Sequence, residues 1–170
     1  MANRRLIILR HGEAEQGAGI DDFDRPLTAR GESDAGLVGK WLGTKALLPD
    51  RILSSPAARA VATAELAAAA CGVEPDIIRL DRRMYLASIA DLIAIVETSP
   101  VKSQCLMIAG HNPGLETLLD SLVGPEQLSD YSGGQIAPGT VAVINLTIDW
   151  AAVGVGAGQL NAFLRPEELR

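Results

Sequence analysis

Aromatic side chains are nearly missing from this sequence: two each of Phe, Trp and Tyr, 4% of the chain. Since 48% of the residues are apolar, the core has to be aliphatic. Positive charge is in short supply as well, with 15 Lys and Arg against 21 Asp and Glu and a net charge of −6. That balance excludes the broad basic face of a general nucleic-acid binder and the polybasic patch of a membrane-surface protein. No apolar run approaches the ~20 residues of a membrane span. The N-terminal run from Leu6 to Leu9 is closed by Arg10 and His11, and is too short for the apolar region of a signal peptide. Cysteine is limited to Cys71, at the end of an alanine-rich run, and Cys105, in an apolar strand-like run; both read as buried thiols of a reduced compartment. These absences predict a cytoplasmic protein with neither nucleic acid nor membrane as partner. A length of 170 residues predicts a single domain over 1–170.

What is present is an alternation of two periodicities. Strand-length apolar runs at 6–9, 51–55, 76–80 and 104–110 are separated by helical patterns at 28–45, 56–71, 88–98 and 114–123. Thr28 and Ser88 suit helix N-caps, and Gly72 suits a helix stop. Ser55 reads as the cap of a helix whose first turn begins at Pro56. Residues 140–149 alternate like a half-exposed strand, which 162–166 can pair with across the Gly-rich turn at 154–158. Residues 17–26 read as a loop. Strands alternating with helices predict an α/β domain with a mostly parallel sheet, ending in an antiparallel hairpin.

Histidine is scarce too, and the two that exist are not scattered. Ligands of open α/β sheets bind at the carboxyl ends of the strands. The first strand ends in Arg10-His11-Gly12. The second ends in Ser54-Ser55-Pro56, with Arg59 one turn into the following helix. The fourth ends in Gly110-His111-Asn112-Pro113. In a parallel sheet both histidines fall on one edge. A lone histidine is more often a surface or capping residue; a matched pair, each beside a glycine, argues for a site. Zinc takes three or four protein ligands, and two arginines would repel a dication, so no metal is expected. "DDFDRP" lacks the glutamate that a calcium loop needs. A phosphoryl group suits these residues better. Arginine offers a charged fork that matches phosphate oxygens. A neutral imidazole can attack phosphorus and carry it covalently. A second, protonated histidine can stabilise the charge of the transferring group. This chemistry needs no cofactor.

Four segments in order, "LIILRHGEAE", "DRPLTARG", "ILSSPAARAVATAE" and "MIAGHNPGLETLL", resemble the histidine phosphatase superfamily, also called phosphoglycerate mutase-like. The resemblance covers residues 5–123. The short chain and "DFDRPLTARG" look most like its bacterial phosphohistidine phosphatase branch (SixA-type). The resemblance implies a three-layer α/β sandwich with helices on both faces of the sheet. It implies His11 as the nucleophile, Arg10 and Arg59 as grips on the phosphoryl oxygens, and His111 as the completion of the pocket. Arg25 is expected to reach the pocket and Asn112 to lend a backbone N–H. The implied partners are a phosphohistidine-bearing protein, such as a phosphotransfer domain or carrier protein, and inorganic phosphate.

One departure stands out. Mutase-like members carry a glutamate after the third strand as general acid, whereas "RLDRRMYLASIADL" places Leu86 there. Glu13, Asp22 and Asp24 are the remaining candidates, with Asp22 favoured by the acidic loop it shares with "DRPL". An alkoxide leaving group needs a proton, but imidazole, whose conjugate acid has a pKa of ~6.5, leaves far more easily. The short connections between Arg59 and His111 leave little chain for a lid, which suits a protein-borne substrate. The expectation is therefore a phosphohistidine phosphatase. The alternatives are a small-molecule phosphomonoesterase on the same scaffold and, from a different class, a non-enzymatic phosphate-binding module that would not need a nucleophile.

Overall fold

The order of strands in the sheet brings the ends of three neighbours together. In a computed structural model, which describes residues 3–170, six strands form one sheet in the order β3-β2-β4-β1-β5-β6. They are β1 (Arg4–Arg10), β2 (Arg51–Ser54), β3 (Ile78–Leu80), β4 (Cys105–Gly110), β5 (Val141–Leu146) and β6 (Gly158–Leu164). β3, β2, β4 and β1 run parallel, β5 is antiparallel to β1, and β6 is antiparallel to β5. Arg10 pairs with Gly110 at the last rung between β1 and β4. The ladder runs one residue further: His11 N–H donates to Gly110 O at 3.1 Å and Ser55 N–H to Ala109 O at 3.0 Å. The residues that follow the three strands are therefore fixed by the sheet itself.

Strand alternation supplies two cores. Ile7, Leu9, Met107 and Val143 face α1 (Ala29–Thr44) and α2 (Ala58–Cys71). Leu6, Ile8, Leu106, Ile108 and Ile144 face α3 (Ile89–Glu97) and α4 (Gly114–Val123). A short helix, α5 (Pro125–Leu128), continues the second layer. This is the three-layer α/β sandwich. Thr28 caps α1 by accepting from Gly31 N–H, and Ser88 caps α3 in a reciprocal capping box with Asp91. Gly72 closes α2 in the left-handed conformation, at φ 86°.

The structure differs from the sequence reading at four places, the first being the run 76–80, where a 3-10 turn over Pro75–Ile77 delays β3 to Ile78. β5 is buried on both faces rather than half-exposed, because β6 and both helical layers cover it. The hairpin strand begins at Gly158, not 162, after a helical turn at Trp150–Ala152. α2 starts at Ala58 with Ala57 as its N-cap, so Pro56 lies outside it; the Ser55 hydroxyl accepts from Ala57 N–H but is shared with the site described below. Cys71 and Cys105 are buried and unbonded. Among the described residues, no helix is long and apolar enough to cross a membrane.

α1 and α2 approach through glycine. A Cβ on Gly39 would fall inside the backbone of Ala67, whereas one on Gly36, in the same helix, would meet nothing within 4 Å. Gly39→Ala is expected to cost about 1–3 kcal/mol through forced separation of the helices. Gly36→Ala is expected to stabilise by up to about 1 kcal/mol. Urea unfolding of the two variants checks the contrast; equal effects would mean the helices are not packed this tightly.

Candidate active site

Four side chains expected from the sequence meet at the carboxyl edge of β1, β2 and β4. Arg59, in the first turn of α2, is 5% exposed and touches both histidines. Its Nε donates to His11 Nε2 at 3.3 Å and its Nη2 approaches His111 Nδ1 at 3.4 Å. The imidazole centroids lie 5.1 Å apart. Arg10 is close enough to add to the lowering of the proton affinity of both rings, and its own is lowered by burial and then by Arg59, against Glu116. α2 also secures the turn after β1: Gly12 N–H donates to Thr63 Oγ1 at 3.0 Å, and Thr63 donates to Arg59 O at 2.7 Å.

The hydrogen bonds select one tautomer for each ring. A carbonyl can only accept, so the 2.8 Å contact between His11 Nδ1 and Gly12 O places the proton on Nδ1. The Nε2 lone pair then faces Arg59. A guanidinium can only donate, so His111 Nδ1 accepts and its Nε2–H donates to Ser55 Oγ at 2.7 Å. Burial pushes the pKa of His11 down to about 3, against its bond to Gly12, with help from His111, Arg59 and Arg10. Burial and then Arg59 push His111 down to about 4, opposed by Asp22. Both rings are neutral near pH 7, as an attacking imidazole must be. An incoming dianion would raise both, since opposite charge favours the protonated form.

Asp22 comes to the site on the loop between β1 and α1. Its Oδ2 accepts from Arg59 Nη2 at 3.1 Å and from the Tyr85 hydroxyl at 2.6 Å, and its backbone carbonyl accepts from Arg59 Nη1 at 2.5 Å. Arg25 donates to Asp22 Oδ1 through Nε and Nη2, and to Glu15 O through Nη1. Arg25 thus joins the site through Asp22. The Tyr85 hydroxyl, Arg25 and Arg59 hold the Asp22 carboxyl well below the usual carboxylate range, although half of the side chain is exposed. A carboxyl held that low is ionised at neutral pH, which weakens the expectation of an acid at Asp22. Glu13 accepts from Thr28, and Asp24 is exposed. The Asn112 side chain turns away from the histidines, onto Glu116 and Ile136 O. Among the described residues, no group of three His, Cys, Asp or Glu side chains could hold a metal.

Sequence reasoning missed Tyr85, Ser55 as a site residue, Thr63 and Glu116. Tyr85 stacks edge-on against both His111 and Phe23, at 5.5 and 5.1 Å between centroids. Its signal was available, because it precedes Leu86, the position that the resemblance sets against the acid of mutase-like members. Leu86 itself is 80% exposed.

A buried arginine touching two neutral imidazoles at one sheet edge presents donors that suit phosphoryl oxygens. The family model of the histidine phosphatase superfamily (branch 1) matches residues 6–82. An uncharacterized protein of Mycobacterium tuberculosis is 30% identical over 162 residues, covering 93% of this chain and 99% of the relative. Among solved structures, a protein assigned as phosphohistidine phosphatase SixA from Nakamurella multipartitia superposes with a TM-score of 0.83 at 27% identity, covering 98% of both chains. One so assigned from Agrobacterium tumefaciens gives 0.81 at 28% identity, over 96% of this chain and 98% of its own. The chain belongs to the histidine phosphatase superfamily, in its SixA-type branch. It is a phosphatase.

The two depressed histidines make folding sensitive to acid. Unfolded imidazoles titrate near ~6.5, while these titrate near 3 and 4 in the fold. Between those values the unfolded chain binds more protons, so stability falls as pH falls through that window, by at most about 1.4 kcal/mol per unit for each histidine. Urea midpoints from about pH 7 down to about pH 4.5 measure the slope. His11→Gln should remove part of it; an unchanged slope in that variant would show that His11 is not buried neutral.

Proposed function

We propose that this protein is a cytoplasmic phosphohistidine phosphatase that removes the phosphoryl group from a phosphohistidine on another protein. The observation that carries the reading is the set of contacts on the carboxylate at the site: Asp22 Oδ2 accepts from Tyr85 and Arg59 and its Oδ1 from Arg25, donors that favour its ionised form. Leu86 stands where mutase-like relatives keep their acid. A site without a ready proton suits an imidazole leaving group and serves an alkoxide poorly.

In the first step the Nε2 lone pair of His11 attacks phosphorus. The bond from phosphorus to the substrate nitrogen breaks and its electron pair stays on that nitrogen, so a substrate ring that carries a proton on its other nitrogen departs as neutral imidazole. Arg10 and Arg59 bear the charge on the equatorial oxygens. His111, its pKa raised by the bound dianion, donates from Nδ1 to one of them. In the second step water attacks phosphorus, the bond to His11 breaks, and inorganic phosphate leaves. The Gly12 carbonyl keeps the proton on Nδ1 throughout, so Nε2 returns ready to attack. In this mechanism Asp22 aims Arg59 and moves no proton.

The test measures phosphate release from a phosphohistidine-bearing phosphotransfer domain, beside a panel of small phosphate monoesters. Release from the protein substrate, abolished in His11→Ala, is the expected result. Faster release from the monoesters would replace the reading with a small-molecule phosphomonoesterase. Asp22→Asn is expected to lower kcat on phosphohistidine by less than about 10-fold, with most of its effect on KM. Loss of a general acid costs about 100-fold or more, so a fall of that size in kcat would restore Asp22 as the acid.

A further inference from the structure

The two arginines of the site are held very differently. Arg59 donates to Asp22 and touches both histidines. The Arg10 side chain has one described hydrogen bond: its Nη1 donates to Ile136 O at 2.9 Å, while its Nε is buried without a partner. The direction of the Arg10 fork therefore depends on one peptide carbonyl, in a segment that is neither strand nor helix.

The backbone of Ile136 is clamped on both sides. Ile136 N–H donates to Glu116 Oε1 at 2.8 Å. Ile136 O accepts a second hydrogen bond, from Asn112 Nδ2, at 2.7 Å. Asn112 Nδ2 also donates to Glu116 Oε1 at 2.8 Å, which closes the ring. Both contacts of this amide nitrogen are acceptors, so the orientation of the Asn112 amide is settled. Glu116 lies in the first turn of α4, the helix that follows His111, and its charge favours ionised Arg10 against the cost of burial. One carboxylate oxygen thus fixes the segment that aims Arg10 and ties it to the helix that carries His111 into place.

We propose that Glu116 is the positioning residue of Arg10, acting through the Ile136 peptide and the Asn112 amide. This rests on the reading of Arg10 as a grip on the phosphoryl group. Losing the clamp leaves the charge of Arg10 in place but lets its fork swing, so the defect should appear in phosphate affinity more than in turnover. Glutamine keeps an oxygen that accepts both hydrogen bonds, whereas alanine keeps none.

The experiment measures inhibition by inorganic phosphate, together with KM and kcat on the phosphoprotein, for Glu116→Ala, Glu116→Gln, Arg10→Ala and the double variant Arg10→Ala/Glu116→Ala. Glu116→Ala should raise the inhibition constant for phosphate and KM by about 10-fold, the scale of one or two lost hydrogen bonds, with a smaller change in kcat. Glu116→Gln should stay within about 3-fold of the parent. In the Arg10→Ala background, removal of Glu116 should change the phosphate constant no further, because coupled residues are non-additive. Asn112→Ala releases the same carbonyl and should copy Glu116→Ala, which keeps the idea testable if Glu116→Ala folds poorly. The proposal is overturned if these variants fold and keep the parent's phosphate affinity, or if the Glu116 effect persists undiminished without Arg10. An Arg10→Ala variant that binds phosphate normally would instead sink the reading of Arg10 itself.

Discussion

Arg59 carries a positive charge into the protein with no buried carboxylate to meet it. The side chain is 6% exposed, and the carboxylate that pairs with it, Asp22, is 51% exposed on a surface loop. Burying a charge is tolerable only when its donors are occupied. Here they are occupied by Asp22, by its backbone carbonyl and by the ring nitrogens of two histidines. Those rings can accept only while neutral, so the arginine and the burial enforce the same protonation state. Arg10 close by adds a second positive charge. The result is a sheet edge rich in fixed donors, which is what a phosphoryl dianion would complete under the proposed reading. The loop that delivers Asp22 offers the arginine a weaker anion at the surface.

The fold was legible because its signals are local. Leu6 to Leu9 alternate between the two cores, which is the behaviour of a strand covered on both faces. Thr28, Ser88 and Gly72 act as the caps and the stop that their chemistry suggests. What failed was local too. The alternation of 140–149 suggested a half-exposed strand, but β5 lies between β1 and β6 under both helical layers, and nothing in its own residues records that cover. Ser55 looked like a helix cap because Pro56 follows it. Its hydroxyl does meet Ala57 N–H, yet the same oxygen accepts from His111, 56 residues away.

The site divides in the same way. Residues that sit at strand ends, His11, His111 and Arg10, could be aligned by assuming a parallel sheet, and Arg59 by counting one helical turn. Partners on loops could not. Tyr85 reaches Asp22 across 63 residues of sequence, and Glu116 reaches Ile136 across 20. No periodicity fixes such pairs, because each depends on where a non-repetitive segment comes to rest. The surroundings of Asp22 belong here as well. The sequence offers Asp22 as a carboxylate of the loop, but the donors that favour its ionised form, Tyr85, Arg25 and Arg59, reach it only in the folded loop.

Under the proposed reading, the missing acid follows from the chemistry that remains. Any phosphatase that works through phosphorylated His11 must, in its second step, expel an imidazole nitrogen from phosphorus. Its site already meets the demands of that leaving group: Nδ1 is protonated and held by Gly12 O, so Nε2 departs as the lone-pair nitrogen of a neutral ring. When the substrate is also a phosphohistidine, the first step has the same leaving group, and one P–N bond is exchanged for another. A single arrangement of donors then serves both steps. An ester substrate breaks that symmetry, because the first step must release an alkoxide whose conjugate acid is far weaker than imidazolium. Relatives that carry a glutamate after the third strand have the proton for that task. Leu86, the residue that the resemblance sets against that glutamate, faces solvent here, beside a tyrosine whose hydroxyl donates to Asp22.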